Sequence, residues 1–132
     1  MQDTPVYNDV LEAVNAFLGD RIRTCEAAGI ARQRLVIDPG FGFGKTLTHN
    51  LTLLKHLQQL TEWGVPVLAG MSRKSMLGTL TGQGVDAREF SGVAAHLSAV
   101  ARGAKLLRVH NVAAMRDALA IWNAVEEKQD GT

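Results

Sequence analysis

Residues 35–45 read Leu35-Val36-Ile37-Asp38-Pro39-Gly40-Phe41-Gly42-Phe43-Gly44-Lys45, and they indicate the class of fold most clearly. Three apolar residues followed by an acid predict a short strand buried on both faces, as in a parallel sheet covered by helices. Pro39 has no N–H to donate, so strand pairing should end there. An acid at the carboxyl end of such a strand, followed by a glycine-rich loop with aromatic residues, is typical of ligand sites in parallel α/β proteins.

The apolar pattern on either side predicts a helix followed by three strand–helix units, each about the size of a βαβ unit. Parallel strands joined by right-handed helical crossovers are therefore expected. The predicted elements are a helix from Val6 to about Ala28, strands ending at Asp38, Gly70 and His110, and helices from Thr46 or Thr48 to Trp63, from Met76 to Leu80, from Arg88 to Arg102 and from Val112 to Glu127.

Three parallel strands neither close a barrel nor cover their own edges, and a complete β/α barrel needs roughly 250 residues. The chain has 132 residues and opens with a helical pattern, as if a strand should precede it. The prediction is an α/β fold that forms half of a β/α barrel, with three parallel strands alternating with helices after a first helix.

Composition excludes several classes of protein. The chain is 46% apolar and 20% charged, which is globular composition, and its 14 basic and 13 acidic residues leave a net charge of +1. This balance gives no electrostatic reason to expect a nucleic-acid or membrane partner. No apolar run approaches the ~20 residues of a membrane span, and the first residues do not form a signal peptide. The single cysteine, Cys25, excludes an internal disulfide and fits a reducing, cytoplasmic location.

Polar residues follow all three predicted strands. Asp38 ends the first, Ser72 to Ser75 follow the second, and Arg108 and His110 end the third. The carboxyl ends of parallel strands share one rim, so these groups should converge. Arg108 and His110 are two positions apart and should point to the same side, where they would suit an anion or a π-system.

The chemistry of these groups suggests a flat, partly anionic ligand. Asp38 can accept two hydrogen bonds from a planar donor pair, such as that of a guanine-like heterocycle. The helix start at Ser72 to Ser75 offers free backbone N–H groups to a carboxylate or phosphate, and Lys74 adds a mobile cation.

Structural roles are the alternative for each residue alone. Asp38 could merely cap the glycine-rich loop, and Arg108 could form a structural ion pair. Phe41 and Phe43 are more often core residues than ligand walls, and Lys45 could simply be solvated. For the three remaining histidines a surface or hydrogen-bonded core role is expected: His49, His56 and His96.

Two nucleotide-binding motifs are rejected. The ending Gly44-Lys45-Thr46 resembles a P-loop, but the glycine required five positions before Gly44 is replaced by Pro39. Asp38 would also place a carboxylate where phosphates lie. The three glycines lack the last spacing of the dinucleotide fingerprint.

Three motifs, Asp38-Pro39-Gly40-Phe41-Gly42-Phe43-Gly44-Lys45, Gly70-Met71-Ser72-Arg73-Lys74-Ser75 and Arg108-Val109-His110, together resemble dihydropteroate synthase, the folate-pathway enzyme that sulfonamides inhibit. The resemblance runs over nearly the whole chain. Its start resembles the middle of such an enzyme, just after the fifth strand. Residues 1–132 therefore resemble the C-terminal half of a TIM-type pterin-binding barrel, roughly strands six to eight with their helices.

The resemblance implies a transferase that condenses para-aminobenzoate with dihydropterin pyrophosphate, giving dihydropteroate and pyrophosphate. It implies catalytic roles for Lys74, Arg108 and His110. The implied binding residues are Asp38, Gly70, Lys74 and Arg108 for the pterin; Phe43, Arg73 and Ser75 for the aminobenzoate; and Arg108, Val109 and His110 for the pyrophosphate.

The resemblance also implies a cytoplasmic homodimer that uses Mg²⁺, with the metal ligands and two mobile loops in the half that this sequence lacks. No residue here is assigned to metal, and we expect the chain alone to be inactive. Two other functions stay open. One is a catalytically inactive, truncated half-barrel that binds pterin or dimerises; the other is a pterin-dependent methyltransferase, which Phe43 and Ser75 argue against.

Overall fold

The structure, a computed structural model, describes residues 3–127, so the first two and the last five residues of the predicted domain lie outside it. Its helices follow one another in the predicted order, and two short strands lie between them. The elements are α1 (Asp3–Ala27), α2 (Leu47–Lys55), β1 (Leu68–Ala69), α3 (Ser75–Thr81), α4 (Glu89–Ala101), β2 (Leu106–Leu107) and α5 (Val112–Glu126), with 3₁₀ helices at Arg32–Arg34, Leu57–Trp63 and Val85–Ala87.

The predicted strands are parallel but shorter than expected. β1 pairs with β2 in parallel, with Leu68 opposite Leu106 and Ala69 opposite Leu107. The prediction of a full first strand was wrong. Within residues 3–127 this segment forms a single parallel bridge, from Ile37 to Val67. Pairing stops there because Pro66 has no N–H to donate on one side and Pro39 has none on the other.

Helix ends follow the predicted signals at Thr46 and Gly29, whereas α1 begins at Asp3 and not at Val6. The Thr46 hydroxyl accepts the His49 N–H at 3.1 Å, and the His49 ring faces the Thr46 N–H, which makes a capping box. Gly29 follows α1 in the left-handed conformation, at φ +95°. The single helix predicted from Thr46 to Trp63 is instead α2 followed by a 3₁₀ helix, with the break at His56.

The core surrounds the short sheet. Its fully buried side chains come from the glycine loop, from α2 and the following 3₁₀ helix, from β1 and the residues beside it, and from α4: Phe41, Leu53, Leu57, Leu60, Val67, Ala69, Met71 and Ala99. Phe17 and Val125 are exposed, although both fit the apolar patterns that predict α1 and α5. Phe17 precedes the buried Leu18, and one helical step turns a side chain by about 100° away from the core. In α5 the buried residue is Met115, far from Val125.

Each helix in the described part of the chain is too short or too polar to cross a lipid bilayer.

The two phenylalanines of the glycine loop differ in burial, which makes a matched stability test. Phe41 is 0% exposed and Phe43 is 71% exposed. We expect Phe41→Ala to lower the free energy of unfolding by about 3–5 kcal/mol, because it leaves a cavity in the core. Phe43→Ala, the control, should lower it by less than about 1 kcal/mol. Urea denaturation measures both values, and equal losses would contradict the assigned burial.

Candidate functional site

Asp38 and Arg108 meet at the carboxyl ends of the first and third parallel segments. Arg108 Nη1 donates to Asp38 Oδ2 at 3.1 Å, while the Gly40 N–H donates to Asp38 Oδ1 at 2.8 Å. Both structural alternatives therefore hold, one for each carboxylate oxygen: Asp38 caps the loop and pairs with Arg108. The side chains are 36% and 54% exposed, so the ion pair contributes only about 0–1 kcal/mol. An incoming ligand could replace it at low cost.

Gly70, directly after β1, lies beneath the Arg108 guanidinium. A Cβ atom at this position would come 2.7 to 3.1 Å from Nη2, Cζ and Nε of Arg108, closer than side-chain atoms normally approach. The missing side chain therefore lets the guanidinium lie against the backbone.

Lys74 reaches across from the second strand end to the glycine loop. Its Nζ donates to the carbonyl of Phe41 and lies 4.8 Å from the centre of the Phe43 ring. Its aliphatic chain passes so close to Gly42 that a Cβ there would lie 3.2 Å from the Lys74 Cδ. The loop and the lysine are therefore fitted to each other.

Two residues that sequence reasoning did not assign to the site shape this loop. The Asn50 Oδ1 accepts the Gly42 N–H at 2.9 Å from a buried position in α2. The sequence signal that could have identified Asn50 was its polar side chain within the apolar pattern of α2. Lys45 donates to the carbonyls of Gly40 and Phe43, at 2.8 and 3.2 Å, so the interpretation of Lys45 as merely solvated was wrong.

The third strand end carries a second polar contact. The His110 Nδ1 lies 2.8 Å from the Ser72 Oγ, and the His110 N–H donates to the same oxygen at 3.3 Å. Val109 is half-buried, and it lines with Ser72, Arg73 and His110 a cavity of about 350 Å³. Ser75 is exposed as the first residue of α3.

Burial lowers the pKa of both lysines at the glycine loop, Lys45 and Lys74. For Lys74 the largest cause is desolvation, and the charges of Arg108 and Lys45 lower the pKa further, while Asp38 opposes them. For Lys45 desolvation again lowers the pKa and Asp38 raises it. Arg108 and Lys45 thus add to the electrostatic cost of charging Lys74, which an anionic ligand would relieve.

The structure brings Asp38, Lys74 and Arg108 close to one another, with Gly70 against Arg108 and Phe43 beside Lys74. Ser72 joins His110 at the same rim, and Arg73 lines the adjoining cavity. Among residues 3–127 there is no grouping of three His, Cys, Asp or Glu side chains that could hold a metal ion.

Fold and site together define a parallel α/β protein that presents one carboxylate and several cations at its strand ends. The chain belongs to the pterin-binding enzyme family, whose family model, described as "Pterin binding enzyme", matches residues 1–110.

Relatives and solved structures agree with this assignment. The dihydropteroate synthase of Neisseria meningitidis serogroup C is 55% identical over 127 residues, which cover 95% of this chain and 45% of that protein. The structure of dihydropteroate synthase from Xanthomonas albilineans in complex with 7,8-dihydropteroate matches with a TM-score of 0.89 and 55% identity, over 91% of this chain and 46% of that one. The Yersinia pestis dihydropteroate synthase with a sulfonamide drug matches with a TM-score of 0.87 and 44% identity, over 95% and 46%. The chain thus spans about half the length of the curated relatives it matches.

The charges around Lys74 make a test of the site's electrostatics. The pKa of Lys74 should lie below its ordinary 10.5, because burial disfavours the ammonium. Asp38→Asn should lower this pKa further, since it removes the neighbouring anion. Arg108→Met should raise it, since it removes a neighbouring cation. An NMR titration of the lysine Cε signals measures all three values, and shifts of the same sign in the two variants would contradict the described arrangement.

Proposed function

We propose that this chain is the C-terminal half of the β/α barrel of a dihydropteroate synthase, roughly strands six to eight with their helices. The whole enzyme would condense para-aminobenzoate with dihydropterin pyrophosphate. The strongest support is the grouping of three side chains around one strand-end rim: Asp38, Lys74 and Arg108. In the sequence, Lys74 lies 36 positions after Asp38 and 34 positions before Arg108.

The pterin would bind between Asp38 and Arg108. Its planar donor edge would take the place of the guanidinium on the Asp38 carboxylate, and Arg108 would stack over the ring. Lys74 would donate to a ring oxygen and nitrogen, and Gly70 would let the ring approach the backbone. The weak, half-exposed Asp38–Arg108 pair supports this exchange, because little free energy is lost when it opens.

The second substrate and the leaving group would use the neighbouring residues. Phe43 would form a wall of the aminobenzoate pocket, and its exposed ring is available for that contact. Arg73 and Ser75 would lie beside the aminobenzoate, with Ser75 receiving its carboxylate. Pyrophosphate would lie against Arg108, Val109 and His110.

The reaction would be a substitution at the pterin methylene carbon. The aniline nitrogen forms a bond to this carbon, the carbon–oxygen bond to pyrophosphate breaks, and the nitrogen loses a proton. Arg108 and His110 would stabilise the charge that develops on the departing pyrophosphate, and the stacked ring would favour a cationic carbon. The nucleophile is already an amine and needs little activation.

The rest of the proposal concerns parts outside these residues. The described side chains do not fit a Mg²⁺ site, because they offer no grouped carboxylates, so the metal ligands would come from the other half of the enzyme. We propose that the enzyme is a cytoplasmic homodimer and that sulfonamides compete for the aminobenzoate position. The complex of the similar Yersinia pestis enzyme with a sulfonamide drug supports the last point.

The second candidate function is a catalytically inactive half-barrel that binds pterin or dimerises. The observation in its favour is that the chain covers only 45% of the similar Neisseria meningitidis enzyme. A methyltransferase on the same scaffold is a third possibility, and competition between para-aminobenzoate and a sulfonamide for the chain would argue against it.

Ligand binding tests the proposed site. Calorimetric titration of the chain with a pterin analogue should show binding that strengthens when pyrophosphate is present, since both ligands would contact Arg108. Asp38→Asn should weaken pterin binding about tenfold or more, as expected for a lost hydrogen bond to a charged group.

Asp117→Asn, on the exposed surface of α5, is the matched control and should leave the affinity unchanged. Equal affinities for the two variants would refute the pterin site.

An activity assay distinguishes the two leading candidate functions, half of a dihydropteroate synthase and an inactive half-barrel. The chain alone should give no dihydropteroate from dihydropterin pyrophosphate and para-aminobenzoate, because part of the site would be missing. Mixing it with the separately produced N-terminal half of a similar dihydropteroate synthase should restore turnover, measured as pyrophosphate release. Binding without any restored turnover favours the inactive module, whereas turnover by the chain alone would refute the half-site argument.

A further inference from the structure

Helix α4 contacts the turn at residues 71–74, which follows β1 and carries three polar residues of the candidate site: Ser72, Arg73 and Lys74. The turn closes on itself through the Lys74 N–H, which donates to the Met71 carbonyl at 3.1 Å. Two side chains from α4 and its N-terminal boundary reach the two ends of this turn. Neither belongs to the set of site residues above.

His96 holds the first end of the turn. Its ring is only 1% exposed, its Nδ1 lies 2.7 Å from the Gly92 carbonyl, and its Nε2 lies 3.1 Å from the Met71 nitrogen. A carbonyl can only accept, so Nδ1 carries the proton and Nε2 accepts the Met71 N–H. Both contacts together require the neutral imidazole. Burial lowers the pKa of His96, which favours this form.

Arg88 holds the other end. Its Nη1 donates to the Arg73 carbonyl and its Nε to the Gln83 carbonyl, both at 3.0 Å. Its guanidinium lies against Gly78 of α3, where a Cβ would come within 2.3 to 2.8 Å of it. Arg88 therefore joins the turn to α3 and to the loop that follows α3.

The turn needs such support because Arg73 has a left-handed backbone. Its φ of 63° is the one positive value of a non-glycine residue in the described part of the chain. This conformation is disfavoured for residues with a Cβ and persists where surrounding contacts determine it. From this turn Lys74 reaches the Phe41 carbonyl and Ser72 reaches His110.

We propose that Arg88 and His96 are positioning residues, which fix the turn at 71–74 and so set the directions of Ser72, Arg73 and Lys74 toward the pterin and aminobenzoate. Their role in the reaction rests on the proposed function. The clamp itself, two side chains holding the two ends of one strained turn, rests on contacts within the described residues alone.

Amide hydrogen exchange and ligand binding test the clamp in the whole chain. Arg88→Met should speed exchange at Lys74 about tenfold, the effect expected for the loss of one hydrogen bond, and should weaken binding of a pterin analogue to a similar extent. Exchange at Leu68, whose N–H is bonded to Ile37 in the sheet, should not change. Arg102→Met is the matched control, because Arg102 also donates to two carbonyls, those of Lys55 and Ser98, but does not contact the turn.

For His96, a pair of substitutions distinguishes a role in positioning the turn from a role in core packing. His96→Phe keeps a ring but removes the acceptor, and it should speed exchange at Met71 and weaken pterin binding. His96→Gln offers an amide oxygen as the acceptor. It should restore much of the slow exchange at Met71 and much of the pterin affinity.

The clamp is refuted if Arg88→Met leaves exchange at Lys74 unchanged, if Arg102→Met changes it equally, or if His96→Gln behaves like His96→Phe. If the unaltered chain does not bind pterin, the proposed function fails, and the exchange rates at Lys74 and Met71 still decide whether the clamp exists.

Discussion

Everything at the site depends on the backbone hydrogen bonds that align three short segments in parallel. The Ile37 N–H donates to the Pro66 carbonyl, the Leu68 N–H to the Ile37 carbonyl, and the Arg108 N–H to the Ala69 carbonyl. These bonds bring the ends of segments that are tens of residues apart to one rim. The Asp38–Arg108 contact, across 70 positions of sequence, is a direct result.

The rim gathers more positive than negative charge in a partly desolvated place. Lys45, Lys74 and Arg108 lie near the carboxylate of Asp38, and Arg108 and Lys45 disfavour the charge of Lys74. The backbone carbonyls of the glycine loop offset part of this cost by accepting hydrogen bonds from both lysines. Such an arrangement suits a ligand that brings negative charge and a flat donor edge, because its binding supplies the missing anion.

The order of the elements and the polar strand ends could be predicted because both depend on local pattern. Apolar periodicity indicated the helices, and Gly29 and Thr46 marked helix ends through backbone requirements that act within a few residues. Strand length could not be predicted, since it depends on neighbours that pair from elsewhere in the chain. The same limit explains Phe43, which is exposed although the similar Phe41, two positions earlier, is fully buried. Arg88 and His96 contact backbone atoms 15 and 25 positions away in the sequence, which no local pattern reveals, whereas Asn50 could be noticed as a polar residue in the apolar pattern of α2.

The residue pattern alone was enough to predict helices between parallel strands, and polar groups at the strand ends that include Asp38, Lys74 and Arg108. It could do so because the alternation of apolar and polar residues follows directly from burial. Two features arise only in the folded chain: Asp38 divides its two oxygens between Gly40 and Arg108, and Lys74 is held over the glycine loop. Both arrangements depend on the packing of several helices and strands at once, and the free energy of such packing cannot be predicted from any single segment of the chain.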